Sequence, residues 1–139
     1  MKLILAFLLV CVFGGPEFIT SSGPVARSIV GVTENPEARK DFEKGLLLLH
    51  NFEYADAAEI FRSAQKKDPH FALAWWGEAM TYNHPIWLSQ DYEQARAAIK
   101  NYEAISGSRT RKLTTLEADL LKSLDHLYGE GTKQERDKA

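Results

Sequence analysis

Two residue pairs lie 34 positions apart, Gly45 with Ala79 and Leu48 with Tyr82, and they constrain the fold more than any other feature of the chain. Around the first pair runs a longer pattern: Gly45, then Ala57, Phe61 and Ala64 at helical spacing, then Pro69. Around the second lie Trp75 and Tyr82, then Ala95 and Ile99. Self-similarity at a fixed period of this length implies that one supersecondary unit stacks on the next. A small residue on the first helix of a unit lets its partner approach, and Ala57 and Ala64 do the same on the second helix. Phe61 then fills the space between them. Pro69 closes the unit, because proline lacks an N–H and its ring clashes with the preceding turn.

The punctuation between these positions predicts the helices. Asn35-Pro36-Glu37 combines a capping side chain, proline at the first helical position and an acid at the positive helix end. The first helix then runs to about His50 and its partner from about Tyr54 to Lys67, before Asp68-Pro69. The second pair covers about His70 to Asn83 and Ser89 to Ala104. A third helix starts at the capping-box pattern Thr114-x-x-Glu117, carries Leu116, Leu120, Leu124 and Leu127 on one side, and stops at Gly129-Glu130-Gly131. Thr132-x-x-Glu135 opens one more helix, yet the sequence ends at Ala139. A stack buries its core by adding neighbours. The expectation is therefore a truncated product or the N-terminal piece of a longer array, able to self-associate through its unfinished third repeat.

Repeat two is also longer than repeat one. Leu48 and Ala57 differ by nine positions, Tyr82 and Ala95 by thirteen, so four extra residues fall in or beside His84-Pro85-Ile86-Trp87.

The period and its order of small, aromatic and proline residues resemble the tetratricopeptide repeat (TPR). This implies an all-α fold of helix-turn-helix repeats, a TPR-like α-solenoid with two full repeats plus a partial third over residues 35–139. The stretches Gly45 to Ala57 and Trp76 to Trp87 are also similar to stretches in a group of bacterial, signal-peptide-bearing TPR proteins without an assigned reaction. The resemblance implies a protein–protein interaction scaffold that holds a peptide or helix in a groove lined by the first helix of each repeat. Carried onto this chain, the groove residues are Arg39, Phe42, Leu46, Leu49 and His50, then Leu73, Trp76, Met80, Asn83 and His84. Such a groove is apolar and aromatic with a few polar tips. A carboxylate clamp needs several basic and amide side chains, and only Arg39 and Asn83 match one.

Composition excludes some partners. Seventeen basic and nineteen acidic residues give a formal charge of −2, which is no electrostatic footprint for nucleic acid. Arg109, Arg111 and Lys112 read as solvated charges of a polar connection. Lys2 followed by the apolar run Leu3 to Phe13 and then Gly14-Gly15-Pro16 fits a secretory signal peptide over residues 1–14, too short to span a bilayer. It predicts an exported chain, periplasmic or secreted, with a flexible linker over residues 15–34. Cys11 is the only cysteine and lies in the signal segment. The mature chain is left without a disulfide, a thiol nucleophile or a cysteine metal ligand.

The chemistry-bearing residues are sparse. His50 and His84 occupy the same position in successive repeats and should lie side by side, but two ligands do not make a metal site. There is no Ser/His/Asp spacing, phosphate-cradling glycine loop or HExxH pattern. The reading is a non-enzyme without cofactor. The competing reading is a small-ligand or catalytic pocket of Trp75, Trp76, Trp87 and His84 beside the turn insert. Trp75 is expected in the core, whereas Trp76 should face the groove.

Overall fold

In the computed structural model, which describes residues 32–138, the Asn35 side chain accepts from the Glu37 and Ala38 N–H groups and opens α1 (Pro36–His50). The signal segment 1–14 and most of the linker 15–34 lie outside the described residues. The fold is mostly helical: α2 (Tyr54–Lys67), α3 (Ala72–Met80), α4 (Tyr92–Ser106), α5 (Thr115–Tyr128) and a single turn, α6 (Lys133–Arg136). Both capping boxes form. Thr114 and Glu117 start α5, and Thr132 and Glu135 start α6.

The second pair departs from its expected bounds. Thr81 ends α3, its hydroxyl donating to the Glu78 carbonyl. Then Asn83–His84 (β1) and Ser89–Gln90 (β2) pair antiparallel around a 3-10 turn, Pro85–Trp87. The residue before a proline is driven out of the helical region, so His84-Pro85 cannot prolong α3. Asp91 caps α4 by accepting from the Gln94 N–H, which moves that helix start to Tyr92.

Each helix packs mainly on its neighbours. α1 lies against α2, and α2 against α3; α3 in turn touches α1, α4 and α5, and α6 rests on α5. Phe61 of α2 is the central wedge. A Cβ on Gly45 of α1 would meet its ring at 2.7–3.0 Å, and one on Gly77 of α3 would come closer still. Phe42 and Phe71 pack beside it, with ring centroids 5.6 Å (Phe42–Phe61) and 5.1 Å (Phe42–Phe71) apart. A second apolar cluster joins Ala79, Ala95, Leu124 and Tyr128, flanked by Trp76, Met80 and Leu127. Here the Tyr128 hydroxyl donates to the Ala79 carbonyl at 2.8 Å. The third helix is thus part of the core.

Two expectations at the other end of the molecule need correction. Val32 and Thr33, assigned to the linker, are buried; Val32 joins the Phe61 cluster and the Thr33 hydroxyl meets Asp68 at 2.5 Å. Arg111 is not a solvated loop charge. Its guanidinium holds both oxygens of the fully buried Glu117 carboxylate, at 2.7 and 2.5 Å, and also donates to the Val32 carbonyl. Arg109 likewise donates to the Tyr102 hydroxyl. Burial raises the Glu117 pKa, but the Arg111 and Thr114 hydrogen bonds and the Arg111 charge outweigh it and hold the carboxyl below its ordinary value. No helix among the described residues is long and apolar enough to cross a membrane.

Candidate functional site

Apart from Leu47 on α1, which is 69% exposed, the most exposed apolar side chains gather where the α1–α2 turn meets the turn insert. Ile86 is 62% exposed, Trp87 60%, Leu88 84% and Phe52 49%. Their backbone is unusual as well. Phe52 has φ +64° and Leu88 φ +50°, both in the left-handed region that side-chain-bearing residues avoid. Large apolar residues held there, with little burial to compensate, mark a constrained surface.

The cluster is built ring on ring. Tyr54, at the start of α2, lies on His84 with centroids 4.2 Å apart. Trp87 stands edge-on to Phe52, Tyr54 and His84, at 6.2, 6.0 and 6.4 Å. His84 is fixed from behind, its Nε2 lying 2.9 Å from the Thr81 carbonyl at the end of α3.

Beside these rings opens a cleft of about 520 Å³, walled by Tyr54, Glu59, Arg62, Tyr82, His84, Asp91 and Gln94, with Ala55, Ala58 and Thr81 between them. One side carries a polar network. Arg62 approaches Glu78 at 3.3 Å and the Tyr82 hydroxyl at 3.4 Å; Glu78 also accepts from Tyr82 at 3.2 Å and from Gln65 at 2.6 Å. Burial and the Glu78 charge raise the Tyr82 pKa against the opposing effect of Arg62, so the phenol remains a donor. Among the described residues, neither Glu59 nor Asp91 takes part in an ion pair.

The groove assigned from sequence is not assembled as an apolar trough. Phe42 (1% exposed) and Leu73 (0%) belong to the core around Phe61. Leu46 and Leu49 are half-buried against the same core, and Trp76 and Met80 against the second cluster. Arg39 is half-exposed, His50 exposed, and Asn83 and His84 sit in the hairpin. His50 and His84 take separate partners: His50 Nδ1 lies 2.7 Å from the Leu46 carbonyl, whereas His84 lies on Tyr54. Among the described residues, no group of three or more His, Cys, Asp or Glu side chains is placed to hold a metal ion.

The four-residue Trp/His pocket is dispersed too. Trp75 is not enclosed; its Nε1 donates to the Pro69 carbonyl at 2.9 Å and its ring faces Tyr102, beside a groove of about 220 Å³ that Ile99, Leu121 and Leu124 also line. Trp76 is turned into the second core, its buried Nε1 without a hydrogen-bond partner among the described residues. Only His84 and Trp87 meet. Phe52, Tyr54, Leu88 and Glu59 complete the site and were not singled out from sequence. One signal was available: Phe52 and Trp87 differ by 35 positions, close to the 34-residue period expected from sequence, and their rings do meet.

No family model, no curated protein and no solved structure matches this chain.

Proposed function

We propose that this chain is an exported, non-enzymatic interaction module of the tetratricopeptide type, which recognises a protein or peptide with the aromatic surface at its turn insert. The repeat reading is supported by the contacts of α1 with α3 and of α3 with α5, first helices of successive units in the 34-residue scheme. The wedge of Phe61 between Gly45 and Gly77 supports it as well. In such stacks, turns on one side form a continuous edge suited to binding.

One observation carries the functional part: Phe52, Ile86, Trp87 and Leu88 are exposed together, two of them on left-handed backbone. Contiguous exposed apolar surface marks interaction sites in folded proteins, and aromatic side chains are the commonest hot spots. The surface differs from the groove assigned by sequence, since Phe42 and Leu73 cannot reach a partner from the core.

The test is site-specific photocrosslinking in the native compartment, with the reactive residue at position 88 or, for comparison, at position 39. Crosslinks to a polypeptide from position 88 that disappear with Trp87→Ala support the proposal. Crosslinks confined to position 39 move the interaction to the helix-lined groove. Absence of any polypeptide at both positions refutes the interaction reading.

A further inference from the structure

The end of the molecule that carries the aromatic cluster has a one-sided charge. The segments 45–61 and 81–95 that carry the cluster hold five carboxylates, Glu53, Asp56, Glu59, Asp91 and Glu93, and no Lys or Arg, with Lys44, Arg62 and Arg96 at their borders. Arg62 reaches the cleft from the next turn of α2, but Glu78 neutralises it. Lys133 and Arg136 line a separate hollow with Leu88, Gln90 and Tyr92. There Arg136 is engaged, donating to Gln90 Oε1 at 2.9 Å and lying 4.9 Å over the Tyr92 ring. The cleft therefore offers two carboxylates without cationic partners among the described residues, next to an aromatic wall.

We infer that this surface docks a cationic, apolar polypeptide segment; the inference rests on the interaction reading given above. A Lys or Arg side chain enters the cleft between Glu59 and Asp91, its aliphatic stem along Tyr54 and its charged head at the carboxylates. The tyrosine face adds a cation–π attraction that grows as the pair is desolvated. An adjacent apolar side chain of the same segment covers Trp87 and Phe52. The acidic rim steers a positive segment inward and repels an anionic one. It also disfavours an anionic bilayer, leaving a neutral membrane as the alternative host for Ile86, Trp87 and Leu88.

Calorimetry on the full chain separates these cases. The probes are short synthetic peptides of equal length, alternating Lys with Leu, Glu with Leu, or Lys with Ser, together with phosphatidylcholine vesicles. The Lys–Leu peptide is expected to bind about tenfold or more tighter than the other two, and to lose about tenfold with Trp87→Ala. Its affinity should also fall with added salt and in a Glu59→Gln/Asp91→Asn double variant, where the side-chain amide introduced at position 91 still caps α4. Binding of Lys–Leu that ignores the double variant overturns the cationic occupant. Equal binding of Glu–Leu that Trp87→Ala abolishes also overturns it, but leaves the interaction surface standing. Peptide binding that is absent, or unaffected by Trp87→Ala, removes both readings. Vesicle binding abolished by Trp87→Ala, with no peptide bound, assigns the tip to a membrane instead.

Discussion

Gly77→Ala is the substitution whose sign depends most directly on how the helices meet. In the middle of an exposed helix, replacing glycine by alanine stabilises by about 0.8–1 kcal/mol through backbone propensity. Position 77 is different. A Cβ there would stand 2.6 Å from Phe61 Cδ1 and 2.7 Å from Cζ, against an optimal carbon–carbon separation of about 3.5–4.0 Å. The ring has little room to retreat, because it packs so closely against Gly45 of α1 that a Cβ there would stand within 3.0 Å of the same ring atoms. Overpacking of this kind costs about 1–3 kcal/mol, so the propensity gain should vanish and the net effect should be a loss of about 0–2 kcal/mol. Urea unfolding with an unchanged m-value would measure it. Repeating the substitution in a Phe61→Leu background should shrink the loss or reverse its sign, giving a coupling energy of about 1–3 kcal/mol. A Gly77→Ala protein stabilised by the full propensity term, with Phe61 in place, would refute the wedge.

Three further outcomes follow from particular contacts. Glu117→Gln should cost about 2–3 kcal/mol at neutral pH, less than a fully buried pair because Arg111 is partly solvated. The Glu117 pKa is lowered on folding, so its contribution is complete above the ordinary value of about 4.3 and is lost as pH falls through the folded pKa. Unfolding curves taken across that range should therefore be less pH-sensitive in the Gln variant, and identical acid limbs would sink the assignment. Leu88→Gly should raise stability by about 0.5–1 kcal/mol by relieving left-handed strain in a side chain that packs little, while weakening any partner; a thermal melt reads the first effect. Tyr128→Phe should cost about 1 kcal/mol, because it deletes the buried hydrogen bond to the Ala79 carbonyl and leaves the ring in place. An unchanged melting temperature would show that this bond contributes nothing net.

The helix starts at Asn35, Thr114 and Thr132 were legible because a capping side chain acts on N–H groups two or three residues away. The expected 34-residue period aligns Gly45 with Ala79, and the two lie in different surroundings: Gly45 against Phe61, Ala79 among Ala95, Leu124 and Tyr128. The stretch His84 to Trp87, singled out in the sequence for its extra length, lies where the β1–β2 hairpin forms. Gly77 on the other side of the Phe61 ring was not foreseen, since no spacing rule singles it out.

What the sequence determined by itself was local: where helices begin, which residues are small, and where the stretch between α3 and α4 breaks the helical pattern. Which face of each helix turns inward was decided by the tertiary structure. Phe42 and Leu73 went to the core, and Trp75 and Trp76 took faces other than those expected of them, because a helix has an inside only relative to the helices packed on it. The same holds for Arg111, whose contact with the Val32 carbonyl spans 79 positions. It holds for the aromatic site too, where Phe52 and Tyr54 from one turn meet His84 and Trp87 from the next. Capping acts over a few bonds and can be read along the chain. Burial and ring contacts arise only when separate turns share one space.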